Sequence, residues 1–164
     1  MNPTAPVELR TDLRPGDLGM IVHLHGTVYA QEYGFDPTFE AYVAGPLAEF
    51  VLAHNPRERL WIAEREGRIV GCIAIVEAAP KQAQLRWFLV DSAARGLGLG
   101  NRLLREALAF SGEQGYESVV LWTVSALTAA ARLYLATGFV KTEEAPGRRW
   151  GVDVLEEKYE VRLA

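Results

Sequence analysis

Six consecutive residues, Arg95-Gly96-Leu97-Gly98-Leu99-Gly100, combine bare backbone with positive charge, and that combination suits a phosphate. A glycine lacks Cβ, so it can take positive φ and admit a ligand to its amide. An apolar stretch of helical period starts at Leu99, and the first turn of a helix carries unpaired N–H groups and a partial positive charge. A diphosphate placed there gains several hydrogen bonds and a favourable dipole. Arg95 adds a full charge that can fork onto phosphate oxygens. Asn101 and Arg102 follow in the first turn and extend the same surface. The plainer reading is a tight strand-to-helix turn with a surface arginine.

Three nucleotide readings compete for these residues. A Walker P-loop ends Gly-Lys-Ser/Thr, and Gly100-Asn101-Arg102 does not. A dinucleotide fingerprint needs G-x-G-x-x-G and normally follows the first strand of a βαβ unit, whereas here the spacing is G-x-G-x-G and the segment sits in mid-chain after two helices and several strands. The third is coenzyme A, whose pyrophosphate can sit on a helix start while its pantetheine arm runs along a strand.

The elements around the six residues are readable from periodicity. Val7 to Leu13 alternates weakly as a first strand. Pro15-Gly16-Asp17 starts a helix with Asp17 as N-cap, running to about Tyr29, and Tyr33-Gly34-Phe35 reads as a loop. Asp36-Pro37 opens a second helix, with Phe39, Tyr42, Val43, Leu47, Phe50 and Val51 on one face and a kink expected at Pro46. Leu60–Ala63 and Ile69–Val76 are strands joined at Glu66-Gly67, and Gln84–Val90 is a third. Leu99 to Phe110 is strongly amphipathic, and Gly115 ends it. Val119–Val124 is continuously apolar, as in a strand covered on both faces. Ala126 to Thr137 is helical, closed by Gly138. Phe139–Lys141 and Val154–Leu163 are the last strands, with Gly147-Arg148-Arg149-Trp150-Gly151 read as a loop between them. The order β-α-α-β-β-β-α-β-α-β-β predicts an α/β fold of mixed α+β kind, a mixed sheet with helices on both faces.

Composition narrows the function. The chain has 164 residues, 49% hydrophobic and 23% charged, which fits one domain spanning 1–164. One Cys leaves no intramolecular disulfide, and three His without ligand spacing argue against a metal. His23, His25 and His54 are therefore read as structural or surface residues, and Cys72 as an inert buried thiol. A net charge of −4 is a poor footprint for nucleic acid. No apolar run reaches the roughly 20 residues of a membrane helix, and the N-terminus has no signal core. A cytoplasmic protein is expected.

Arg95 to Gly100 is similar to the Arg/Gln-x-x-Gly-x-Gly/Ala acyl-CoA motif of the GNAT superfamily of N-acyltransferases. Ala130-Ala131-Arg132-Leu133-Tyr134-Leu135-Ala136-Thr137-Gly138-Phe139 resembles a second hallmark of that family, Ala-x-x-Leu-Tyr-x-x-x-Gly-Phe, with a strand between the two. The element order from Val7 to Leu163 resembles it as well. Tyr29-Ala30-Gln31-Glu32-Tyr33-Gly34, Leu121-Trp122-Thr123 and Trp150-Gly151-Val152-Asp153-Val154 look like a subgroup fused to winged-helix regulators of the MarR type, though no regulator domain is expected here.

The resemblance implies a GNAT-like central mixed sheet of about seven strands and acetyl-CoA as co-substrate. It implies that Arg95, Gly96, Leu97, Gly98, Leu99, Gly100, Asn101 and Arg102 hold the pyrophosphate. The backbone of Phe88, Leu89 and Val90 would pair with pantetheine as an added strand. Tyr134 falls where the family has a tyrosine near the CoA sulfur, placed to protonate the departing thiolate. Leu127 stands where many members have an Asn that contacts the cofactor. The glutamate that some members carry on the strand before the motif is missing from Gln84–Val90, which leaves Glu32, Glu77 and Asp153 as candidate bases, or a water relay. Glu32 and Tyr33 sit where the acceptor site usually lies. Trp122, Thr123 and Asp153 would be further acceptor contacts.

These readings predict an acetyl-CoA-dependent N-acetyltransferase in which a primary amine of a small molecule or peptide attacks the thioester directly in a ternary complex. With no Cys or Ser triad in pattern, no covalent enzyme intermediate is implied. The rival is a catalytically degenerate module that senses acyl-CoA. Arg148 and Arg149 would complement an acceptor bearing a carboxylate, such as an amino acid. Edge strands near the C-terminus could pair across a homodimer. Neither a membrane nor a nucleic-acid partner is expected.

Overall fold

The computed structural model describes residues 2–164. Its elements are β1 (Glu8–Arg10), α1 (Asp17–Tyr33), α2 (Pro37–Ala53), β2 (Arg59–Arg65), β3 (Arg68–Ala79), β4 (Gln82–Val90), a 3₁₀ turn (Ser92–Ala94), α3 (Leu99–Glu113), β5 (Ser118–Val124), α4 (Thr128–Ala136), β6 (Val140–Arg149) and β7 (Val152–Arg162). Apart from the 3₁₀ turn, this is the order the periodicity predicts. The strands form one seven-stranded sheet in the order β1-β2-β3-β4-β5-β7-β6. Only β4 and β5 pair in parallel; every other pair is antiparallel.

Strand alternation divides the core into two layers. Ile73, Ile75, Leu85 and Leu121 pack with Leu103, Leu104 and Phe110 of α3 and with Tyr134 of α4. On the opposite face Leu60, Ile62, Cys72, Trp87 and Leu89 pack with Ile21 of α1 and with Phe39, Val43 and Leu47 of α2. The sheet is thus covered on both sides, which explains the uninterrupted apolar runs of β3 and β5.

Several boundaries differ from the sequence reading. Asp17 is the first residue of α1, and Gly16 occupies the N-cap in a left-handed conformation. The Asp17 carboxylate instead takes a two-pronged bond from Arg10, at 2.7 and 2.8 Å, and accepts the Arg14 N–H. Helix α1 continues to Tyr33 and stops at Gly34, where the Gly34 N–H donates to the Ala30 carbonyl at 3.0 Å and the Phe35 N–H to the Tyr29 carbonyl at 3.4 Å. Glu32 and Tyr33 are therefore on a helix. Helix α2 is capped as predicted by Asp36, whose carboxylate accepts the Thr38 N–H at 2.9 Å, and it runs through Pro46 without ending. Gly147, Arg148 and Arg149 belong to β6, and only Trp150 and Gly151 form the turn. Both have positive φ, 55° and 81°, the geometry of a two-residue hairpin turn whose twist matches its strands. That turn is tied down by the Asp36 N–H, which donates to the Trp150 carbonyl at 2.9 Å.

Candidate active site

The site originates in a fault in β4. Cys72 of β3 faces Leu89 and Ala74 faces Arg86, so β4 spends one residue more than β3 over that interval. Trp87 absorbs the extra residue with φ of 49°, as in a β-bulge. The bulge reverses side-chain parity. Leu85 and Phe88 both face the α3 layer, and Trp87 faces the other. It also turns β4 away from β5. Their parallel pairing runs from Gln82↔Ser118 to Gln84↔Val120 and goes no further. From Leu85 to Val90 one edge of β4 stays on β3 while the other opens into the gap.

Beyond β4 the chain passes through the 3₁₀ turn into the glycine segment. Gly96 and Gly98 both have φ of 79°, a left-handed conformation that a side chain would strain. Gly98 is the N-cap of α3 and supplies no side-chain cap. The first helical hydrogen bond runs from the Arg102 N–H to the Gly98 carbonyl at 3.0 Å, so the amides of Leu99, Gly100 and Asn101 lie unpaired in the first turn. Gly100 serves a different need: a Cβ there would meet Leu133 of α4 at 3.3 Å.

Two cavities meet at the gap. One, of about 290 Å³, is lined by Phe88, Leu89 and Val90, by Arg95, Gly96, Gly98, Leu99 and Gly100, and by Leu127 and Leu133. The other, of about 280 Å³, lies between the splayed strands and the α1–α2 layer. Tyr29, Phe88, Leu127 and Ala130 line both. Of the remaining motif residues, Leu97 and Arg102 line a separate hollow beside Arg65. Arg102 also donates to the Val7 carbonyl at 2.9 Å. Asn101 is exposed.

Tyr134 lines the second cavity and is 4% exposed. Phe88, Phe139 and Tyr159 box its ring at 6.1, 5.6 and 5.8 Å. Burial pushes its phenol well above the ordinary range, so the hydroxyl keeps its proton. Trp122 and Thr123 of β5 line the same cavity.

The carboxylates are distributed differently. Glu32 lies on the glycine-motif side, not in the second cavity, and takes a forked ion pair from Arg95 at 2.6 and 3.1 Å. This pairing raises the Arg95 pKa. Tyr33 lines that same side. Glu77 pairs with Arg57 at 3.1 Å. Asp153 is solvent-exposed and pairs with Arg148 at 3.2 Å. Neither Glu77 nor Asp153 lines either cavity. The carboxylate that does line the second cavity is Glu156 of β7, bonded through Oε1 to Arg149 at 2.6 Å.

Besides Glu156, two more polar residues of that wall are not singled out by the sequence. His25 is 2% exposed and lines the cavity. Its Nδ1 meets the Ile21 carbonyl at 2.8 Å, and Nε2 has no partner among the described residues. Burial drops its pKa to about 4, so the ring is neutral near pH 7. Its place four residues after Ile21 and four before Tyr29, on the inward stripe of α1, was the available signal. The other is Arg86, which sits in the same wall with its guanidinium over the rings of Trp87 and Tyr42, at 4.9 and 5.8 Å. No group of three or more metal-ligating side chains occurs among the described residues, and none of their helices is long and apolar enough to cross a membrane.

Comparison with known proteins agrees with this geometry. The model of the Acetyltransferase (GNAT) family matches residues 23–139. An uncharacterized N-acetyltransferase of Schizosaccharomyces pombe is 35% identical over 118 residues, 70% of this chain and 72% of that protein. N-acetyltransferase 8 of Mus musculus is 41% identical over 90 residues, 52% of this chain. This chain covers only 40% of that mammalian relative. A structure from Salmonella typhimurium, solved with its cofactor acetyl-CoA, superposes with a TM-score of 0.79 at 18% identity, covering 96% of this chain and 94% of that one. None of these descriptions names a regulator, so the likeness to MarR-type fusions gains no support from them. The chain belongs to the acetyltransferase (GNAT) family.

Proposed function

We propose that this acetyltransferase transfers the acetyl group of acetyl-CoA to the primary amine of a small molecule. The observation that carries the proposal is the opening between β4 and β5. It joins a groove ending on unpaired helix amides to a separate aromatic-lined cavity. A cofactor and an acceptor entering from opposite sides would meet at Phe88 and Tyr29.

In this reading the diphosphate lies on the amides of Leu99, Gly100 and Asn101, with Arg95 beside it. The pantetheine arm extends β4 along the free edge of Phe88, Leu89 and Val90, and Gly96 and Gly98 hold the turn. The amine nitrogen bonds to the acetyl carbon, the carbon–sulfur bond breaks, and the electron pair leaves with sulfur. Tyr134, kept protonated by burial, gives its proton to the thiolate and regains one from the attacking nitrogen by way of solvent. An acceptor that arrives as an ammonium first releases one proton to water. The products are an N-acetyl amine and CoA.

A steady-state screen of primary amines with acetyl-CoA, read as free thiol, tests the proposal. Amine-dependent thiol release is expected. A sensor that binds acyl-CoA without transfer would show calorimetric binding of acetyl-CoA and no thiol release with any amine. Leu127, at the N-cap of α4 without a side-chain hydrogen bond, is the observation that favours such a sensor.

A further inference from the structure

The wall of the acceptor cavity is unusually specific in charge. Among the described residues that line it, the ionic groups are Arg86, Arg149 and Glu156. Arg149 and Glu156 are committed to each other at 2.6 Å. Arg86 has no hydrogen bond and no carboxylate partner among the described residues, and is held only by stacking over Trp87 and Tyr42. Two guanidiniums against one carboxylate leave a single positive charge, and it sits at Arg86. A half-buried cation without a counter-ion, in an apolar wall, favours an anionic ligand group.

Two further features narrow the ligand. Trp87, only 7% exposed, lines the cavity beside Arg86, and its Nε1 is buried with no acceptor among the described residues. Around these donors stand flat rings, chiefly Phe35, Phe39, Tyr42 and Trp150. Phe39 and Trp150 meet edge-on, with ring centroids 5.1 Å apart. The cavity, about 280 Å³, is near the lower end of the range for small-molecule sites. That size suits one compact molecule better than a polypeptide segment.

We propose that the acceptor is an amino-acid-like amine, with a carboxylate that binds Arg86 and a flat or bulky apolar side chain that packs against the aromatic wall. Arg86 is then a specificity residue, and Oε2 of Glu156, opposite the bond to Arg149, is placed to accept from the ammonium. A cationic polyamine is disfavoured, because its charges would face an unneutralised guanidinium.

This inference rests on the acetyl-transfer reading above, and one experiment separates the two. Matched pairs are assayed with acetyl-CoA: phenylalanine with phenethylamine, tryptophan with tryptamine, leucine with isoamylamine, and phenylalanine with its amide. Free thiol is the readout. At least one carboxylate-bearing member should exceed its partner by about 10-fold or more in kcat/KM, the scale of a lost charge-assisted hydrogen bond. Arg86→Gln should raise KM for that amino acid about 10- to 100-fold and shrink the preference within the pair to about threefold or less. Arg86→Lys should restore part of the preference, and KM for acetyl-CoA reports whether each variant is folded. Equal use of both members of every pair, or an equal loss of both on Arg86→Gln, overturns the inference and leaves acetyl transfer standing. If no member of the panel gives thiol release while other primary amines in the wider screen do, the inference alone falls; if no amine in either set gives thiol release, both fall.

Discussion

Glu32 offers the sharpest test of the site, because two roles for it predict opposite outcomes. As a base in the acceptor site it would be essential. As the counter-ion of Arg95 it competes with the cofactor. The fork onto Arg95, at 2.6 and 3.1 Å, supports the second role. A diphosphate arriving at Arg95 must share or displace that carboxylate. The pair is half in solvent, with side chains 46% and 28% exposed, so breaking it costs only about 0.2–1 kcal/mol. Repulsion between the carboxylate and one phosphate charge roughly 6 Å away adds about 0.7 kcal/mol in water, less with salt. Glu32→Gln removes both penalties, about 1 kcal/mol together. Acetyl-CoA should therefore bind about fivefold tighter. Isothermal titration at about 0.05 M and about 0.3 M salt reads the effect, which should shrink at the higher concentration. With a turned-over amine at saturation, kcat should change less than about threefold. Weaker binding of acetyl-CoA, or a kcat loss of about 100-fold as expected for a missing general base, would refute the reasoning.

Tyr134→Phe should lower kcat about 100-fold at nearly constant KM for acetyl-CoA. Because burial raises the phenol's pKa, the wild-type pH–rate profile should show no loss from its ionisation up to about pH 10. Gly98→Asp and Arg95→Glu each put negative charge at the helix start, and calorimetry should detect no acetyl-CoA binding by either; unchanged affinity in both would remove the diphosphate from this site. Asp17→Asn breaks a largely buried fork with Arg10, whose side chains are 9% and 11% exposed, and should cost about 1.5–3 kcal/mol in denaturant melts. Arg10 holds the Asp17 carboxyl below its usual 3.8. The stabilisation is thus complete above that value and lost as pH falls toward the depressed one. The gap in stability between wild type and Asp17→Asn should accordingly narrow in acid, and a gap that widens there contradicts the assignment.

Element order was legible because buried elements advertise their period: α3 by its stripe from Leu99 to Phe110, and β5 by its unbroken apolar run. β6 reads short in the sequence because every one of its residues is exposed, and an edge strand bare on both faces has no alternation to read. The end of α1 is not legible in the sequence because Ala30, Gln31 and Glu32 are polar or small and face outward, while the stop itself is set by the hydrogen bonds of the Gly34 and Phe35 N–H groups. In each of these cases packing or capping, not local propensity, drew the boundary.

The glycine motif was legible for a different reason: its chemistry is in the backbone, and glycine is the residue type that announces a backbone requirement. The acceptor cavity is the opposite case. It depends on one extra residue in β4, and nothing in Gln84-Leu85-Arg86-Trp87-Phe88-Leu89-Val90 marks where the bulge falls. Read with strict alternation, Leu85, Trp87 and Leu89 share one face, and Arg86 and Phe88 share the other. The bulge at Trp87 breaks that rule. It leaves Leu85 and Phe88 on the α3 side and turns Trp87 and Leu89 toward α1 and α2. Arg86 and Trp87, neighbours in sequence, then line the same cavity with the guanidinium over the indole. The same turn of the backbone that frees an edge for pantetheine thus also aims a cation at the acceptor. A substitution that removed the bulge would be expected to damage cofactor binding and acceptor choice together, whereas Arg86→Gln should touch only the second.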